Sequence, residues 1–312
     1  MDLPFYTLDV FTDGAFGGNP LGVFPDAAHL SIELMQRIAR EMNLSETVFL
    51  GPPETLGGAA RVRIFTPSVE VPFAGHPTVG TAIHLAGAAT DHPTDGEITL
   101  VLEENVGHVP VDVRFEAGKP TFARFTTAVL PEHRPSPHGV AELAAMLGIA
   151  AEDVGPVGLQ PEIVSCGLPY HIVPIASLAA VKRAVLDLAR WRDLLGDSWA
   201  HHVYLVCLDA DGSGVDAHVR MFAPGSGVYE DPATGSAAAA LGGYLSRIDG
   251  REDARLAWTI EQGGEVGRPS LLYVEADRAG GETTAVRVGG SAVAVSRGTM
   301  TVPEPDGPRV GG

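Results

Sequence analysis

A chain of 312 residues with 45% hydrophobic residues can build one large domain or two medium ones, which excludes disorder throughout. Its 21 basic residues stand against 39 acidic ones, a net charge of −18 with no basic run. Affinity for nucleic acid is dominated by phosphate neutralisation, so no DNA or RNA partner is expected.

The chain opens Met1-Asp2-Leu3-Pro4, without the basic and apolar regions of a signal peptide, and no stretch reaches the ~18 apolar residues that span a bilayer. A cytoplasmic protein with no membrane partner is the expectation. Strands are predicted over residues 7–11 and 22–24, separated by a Gly/Pro turn. Ser31 is then placed to cap a helix with Ile32, Met35, Ile38, Ala39 and Met42 on one face. A strand over 47–50 follows, and then an alternating run that ends Phe65-Thr66-Pro67. The next helix is expected to carry Pro77 at its first position, where a missing N–H costs nothing. Val79, Gly80, Ala82, Ile83, Leu85 and Ala86 make it apolar almost all round, so it should be buried. Strands over 98–102 and 109–115 complete this half. The second half reads alike: strands over 163–165 and 172–175, a helix in which Leu186, Leu188, Leu194 and Leu195 flank Trp191, and a strand over 203–207. A run to Phe222-Ala223-Pro224 then precedes a small-residue helix from Pro232 through Gly235 and Ala237 to Leu241, with strands over 271–274 and 286–288.

That likeness extends to words. Val62-Arg63-Ile64-Phe65-Thr66-Pro67 returns as Val219-Arg220-Met221-Phe222-Ala223-Pro224, and His76-Pro77-Thr78-Val79-Gly80-Thr81-Ala82 as Asp231-Pro232-Ala233-Thr234-Gly235-Ser236-Ala237. A fainter echo links Gly18-Asn19-Pro20-Leu21 with Gly167-Leu168-Pro169-Tyr170. Two copies of one unit are implied, too few for a solenoid. The expected fold is α+β, with two pseudo-symmetric domains, each a barrel-like sheet wrapped around a central helix. The domains are placed at residues 1–127 and 128–302, with a Gly/Pro-rich flexible tail over 303–312.

If the copies face each other, two helix N-termini with unpaired N–H groups point into one cleft, a ready site for a small carboxylate. Just ahead of the two prolines stand His76 and Asp231. Capping alone would account for Asp231, and a core or surface role for His76. Ser236 and Thr81, one turn into their helices, could simply bond back to a carbonyl. Glu46 lies between a helix end and a core strand, and by itself reads as a loop carboxylate in water. His201-His202 stand at its place in the second copy, an asymmetry that a single catalytic acid on a duplicated scaffold would leave. Asp209-Ala210-Asp211-Gly212-Ser213-Gly214 imitates a calcium loop, but Arg220 stands where the bidentate glutamate is needed, so a hairpin turn is expected. Cys166 and Cys207 form no metal-spaced pair, and the eleven histidines offer none at helical ligand spacing; no metal is expected.

Several of these words together resemble the PhzF-like, or phenazine-biosynthesis-like, family. They are Asp9-Val10-Phe11-Thr12, Phe16-Gly17-Gly18-Asn19-Pro20-Leu21, Asn43-Leu44-Ser45-Glu46-Thr47, Phe73-Ala74-Gly75-His76-Pro77-Thr78, Glu230-Asp231-Pro232-Ala233-Thr234-Gly235-Ser236-Ala237, Gln262-Gly263 and Gly267-Arg268-Pro269-Ser270. The resemblance implies the diaminopimelate-epimerase fold, with the active site between the domains. In the related epimerases, paired cysteines act at the two helix starts, places that this reading gives to His76 and Asp231. It further implies a cofactor-independent isomerase acting on a small carboxylic acid, with Glu46 moving a proton from a hydroxyl-bearing to a carboxyl-bearing carbon. His76, Asp231 and Ser236 would complete the catalytic set, and Gly75, Pro77, Thr78 and Gly235 would bind substrate. An epimerase, or a small-molecule-binding protein on the same fold, is the alternative, and a homodimer is the assembly implied.

Overall fold

Alternation of apolar and polar side chains decides many of the strands. In Gly107–Glu116 every second residue from Val109 to Phe115 is buried, and the residues between face outward. The computed structural model describes residues 1–208 and 214–303. The expected turn at Asp209 to Ser213 and the tail beyond Pro303 lie outside the described residues.

The first half contains β1 (Asp2–Val10), β2 (Asn19–Phe24), α1 (Ile32–Met42), β3 (Glu46–Gly51), β4 (Ala60–Phe65), β5 (Glu70–Val71), α2 (Gly75–Ala88), β6 (Gly96–Glu104), β7 (Gly107–Glu116) and β8 (Lys119–Thr126). The second contains β9 (Glu132–Pro135), α3 (Val140–Leu147), β10 (Glu162–Ser165), β11 (Pro169–Pro174), α4 (Leu178–Arg183), α5 (Leu188–Leu195), β12 (His202–Cys207), β13 (Ala217–Ala223), β14 (Val228–Asp231), α6 (Gly235–Asp249), β15 (Ala254–Gln262), β16 (Ser270–Ala279), β17 (Glu282–Gly290) and β18 (Ala292–Thr301). The architecture is a mixed one of extensive sheet and few helices. Among the described residues no helix is long and apolar enough to cross a membrane.

The pairings repeat between halves. β2 runs parallel to β3, β3 antiparallel to β4, and β4 parallel to β6. In the same order β11 runs parallel to β12, β12 antiparallel to β13, and β13 parallel to β15. The halves are stitched together where β1 pairs with β18 and β8 with β17. α2 lies against β8, β1 and β7, and α6 against β17, β16 and β10. Both helices are buried from their first residue, as their composition predicts.

Three expectations need correction. Ser31 caps α1 by accepting from the Leu34 N–H, and Met35, Ile38 and Ala39 are buried, but Leu34 joins them in place of the exposed Ile32. α5 starts after the Asp187 cap, so Leu186 lies outside it, and Leu188 is exposed; Trp191 and Leu195 alone of that helix are buried. The prolines do not open the central helices. Ala74 and Thr234 are the N-cap residues, so Pro77 is the third helical residue, still among the N–H positions that lack an intrahelical partner, and Pro232 precedes α6.

The true register of the repeat follows from paired ion bridges. Arg63 grips Glu70 through two hydrogen bonds, seven residues on, and Arg220 grips Glu230 likewise, ten residues on. Ile64 faces Val71 across β4 and β5, as Met221 faces Asp231 across β13 and β14. The second half is therefore three residues longer here than the first. His76 corresponds to Ser236, and Asp231 to Val71; the matched words had aligned Asp231 with His76.

α2 and α6 meet end to end. A Cβ on Gly75 would lie 2.7 Å from the Gly235 Cα, and one on Gly235 would lie 3.0 Å from the Gly75 Cα. Because backbone cannot swing aside, Gly75→Ala should destabilise the fold by about 1–3 kcal/mol, the usual cost of overpacking. Urea unfolding checks this, and an unchanged midpoint would contradict the contact.

Candidate active site

Helix α1 ends at Asn43, whose left-handed φ of 51° turns the chain so that β3 starts within three residues. Ser45 and Glu46 are thereby delivered to the mouth of the sheet, with Glu46 opposite Leu21 of β2. From the other half, β14 ends on Asp231, and Pro232-Ala233-Thr234 leads into α6. Gln262 holds that turn. Its Nε2 donates to the Asp231 carbonyl at 2.8 Å and to Thr234 Oγ1 at 3.0 Å.

Glu46, Asp231, Ser236, Tyr170, His202 and Phe73 line one cavity of about 230 Å³ between the halves. Asp231 is surrounded by donors. Asn19 Nδ2 lies 2.9 Å and Ser45 Oγ 3.2 Å from its Oδ1, and Thr234 Oγ1 lies 2.5 Å from its Oδ2. Ser236 Oγ is 2.6 Å from the Tyr170 hydroxyl and does not bond back along its helix. His76 sits behind Glu46, buried, with Nδ1 3.5 Å from Glu46 Oε2.

Burial pushes both carboxyl groups upward, and they separate because their surroundings differ. Glu46 rises further, since desolvation is reinforced by the Asp231 charge. Asp231 rises less, because the hydrogen bonds from Thr234, Asn19 and Ser45 favour its charged form. Burial pushes His76 down to about 3, so it is neutral and its contact with Glu46 is not an ion pair. Two neighbouring carboxyl groups whose affinities for the proton are raised to different extents are an arrangement suited to acid/base work.

The structure thus brings together Glu46, His76, Asp231 and Ser236. Gly75 and Gly235 face each other's backbone. Pro77 and Thr78 do not line the cavity, and the Thr78 hydroxyl is engaged by the Ala74 carbonyl and Glu104. The helix starts carry Ala74 and Thr234, so His76 lies inside α2 and Asp231 ahead of α6. Cys166 does not line the cavity, and burial pushes its thiol up to about 12, far from the thiolate that cysteine racemisation needs. Among the described residues no group of His, Cys, Asp or Glu is placed to hold a metal. Sequence reasoning did not single out Asn19, Ser45, Tyr170, Thr234 or Gln262 as site residues. Four of them stand inside the recognised words; Tyr170 stood only in the fainter echo.

A family model described as "Phenazine biosynthesis-like protein" (PhzC-PhzF) matches residues 8–298. An uncharacterized isomerase of Mesorhizobium japonicum is 42% identical, covering 94% of this chain and 97% of its own. A trans-2,3-dihydro-3-hydroxyanthranilate isomerase of Pseudomonas chlororaphis is 37% identical, covering 96% and 99%. The crystal structure of a PhzF-family phenazine biosynthesis protein of Bacillus anthracis superposes with a TM-score of 0.87 at 26% identity, covering 97% of this chain and 100% of that one.

A carboxyl whose affinity for its proton is raised by folding makes unfolding release that proton, so stability is lost as pH rises above the unfolded value. Relative to Glu46→Gln, the urea midpoint of the wild type should fall between pH 5 and pH 8. Parallel slopes would show that Glu46 titrates as an exposed glutamate does.

Proposed function

The chain belongs to the phenazine biosynthesis-like family, and on that premise we propose that it is an isomerase that moves a proton on a small unsaturated or amino-bearing carboxylic acid without a cofactor. The observation that carries this reading is the pair of carboxyl groups lining one cavity, Asp231 buried and held by three side-chain donors and Glu46 half-buried and held by none of them. In this reading Glu46 takes a proton from one carbon, the electrons shift through the adjoining unsaturation, and the same group returns the proton to a second carbon. Its raised affinity for the proton lets both forms be populated near neutrality, as a shuttle requires. His76, Asp231 and Ser236 complete the set by orienting Glu46 and the substrate's polar groups. The substrate carboxylate would meet the first turns of α2 and α6, whose N–H groups carry about half a positive charge per helix. The compound named for the Pseudomonas relative is the first candidate substrate.

The same reading makes residues 1–127 and 128–302 two homologous domains of the diaminopimelate-epimerase kind, each a curved sheet around α2 or α6. The repeated strand pairings support it. A homodimer is the expected assembly, and sedimentation equilibrium at a single monomer mass would overturn it.

Proton NMR in D₂O with trans-2,3-dihydro-3-hydroxyanthranilate tests the reaction. The wild type should isomerise it with deuterium entering the receiving carbon, and Glu46→Gln should be slower by about 10²–10⁴-fold, the usual worth of a positioned acid/base. Equal rates would remove Glu46 from the mechanism. Deuterium at a single stereocentre with both isomers formed would favour epimerisation.

A further inference from the structure

One buried acid has no task in this mechanism. Glu104, the last residue of β6, is 5% exposed, and its Oε1 lies 2.6 Å from Thr78 Oγ1 in the first turn of α2. That same hydroxyl lies 2.8 Å from the Ala74 carbonyl oxygen. A threonine hydroxyl has one proton to donate, and a carbonyl can only accept. Both contacts are hydrogen bonds only if Thr78 donates to Ala74 and Glu104 donates to Thr78. The opposite arrangement sets the hydroxyl's lone pair against the Ala74 carbonyl. It also makes Glu104 Oε2, which has no hydrogen-bond partner, part of a buried carboxylate.

The second half of the molecule holds the counterpart. β4 runs parallel to β6 with Arg61 opposite Glu103, and β13 runs parallel to β15 with His218 opposite Glu261. The next residues along are Glu104 and Gln262. Gln262 Nε2 donates to the hydroxyl of Thr234 at the start of α6, and it also holds the Asp231 carbonyl. A neutral carboxyl group has nearly the shape of that amide and presents an O–H where the amide presents an N–H.

We infer that Glu104 is a positioning residue kept as the neutral acid, donating to Thr78 and so fixing the first turn of α2 as Gln262 fixes that of α6. The groups it holds in place are Gly75, which abuts Gly235, and His76, which touches Glu46. The consequence for catalysis rests on the cavity being the active site; the protonation and the hydrogen bond do not. Burial pushes Glu104 up to about 8, against the charge of Arg61 from β4. The other titratable groups around it are Glu54 ahead of β4, Glu103 beside it and His108 of β7.

Full-length Glu104→Gln and Glu104→Ala, with Thr78→Val as a third variant, test this without turnover, so an error in the substrate cannot imitate failure. At pH 7 the infrared difference between wild type and Glu104→Gln should show the loss of one neutral-carboxyl carbonyl band. The His76 ring resonances should stay in place in Glu104→Gln and move in Glu104→Ala and Thr78→Val. The thermal midpoint of Glu104→Gln relative to wild type should rise from pH 5 to pH 8 and then level off, because only the wild type has to hold that proton in the folded state. An infrared difference showing a lost carboxylate would overturn the protonation. His76 resonances that move equally in Glu104→Gln and Thr78→Val, or in neither, would overturn the positioning role, and these two variants decide the matter if Glu104→Ala does not fold.

Discussion

Two helices, apolar almost all round, begin glycine against glycine at the centre of this protein, and the polar groups around that contact have to be paired or neutral. An unpaired charge taken out of water costs several kcal/mol, whereas one ordinary hydrogen bond returns about 1 kcal/mol. Asp231 meets the requirement with donors from Asn19, Ser45 and Thr234. Glu46 and His76 meet it by leaning towards their neutral forms, which burial favours for an acid and a base alike. The same pressure that stabilises the helix contact therefore tunes the groups beside it.

The halves agree where they support and differ where the cavity lies. Arg63 with Glu70 and Arg220 with Glu230 are matching bridges, the second more deeply buried, and both tie a short strand back onto the sheet. Facing the cavity, Glu46 is matched by His202 at the start of the equivalent strand and Val71 by Asp231, while Ser236, which also faces it, is matched by His76 behind Glu46. The three added residues between β13 and the end of β14 belong to the half that supplies Asp231.

Neither half holds its own chemistry. Asn19 reaches Asp231 from 212 positions away, and Arg268 anchors the loop before Asn19 through Gly17, Gly18 and Asp9. β1 and β18, the first and last strands, pair along their whole length and close this arrangement.

Much of this was legible in the residues alone. The alternating run marked β4, and all-round apolarity marked α2 and α6 as buried, because each is a local consequence of which face meets water. The family words singled out Glu46, His76, Asp231 and Ser236, and the fold brings these four side chains into one neighbourhood. The register of the repeat was not legible, since a three-residue extension is invisible until Arg220 is seen to grip Glu230. The helix starts were misplaced for a related reason: a proline tolerates any of the first positions, and only the backbone shows that Ala74 and Thr234 are the caps. Tyr170, Asn19, Gln262 and Glu104 acquire their roles through partners distant in sequence or in the neighbouring strand, across contacts that no local pattern encodes. The sequence by itself determined what must be buried, and the tertiary structure decided which buried groups meet, because pairing a polar group in the interior depends on geometry that only the closed sheet provides.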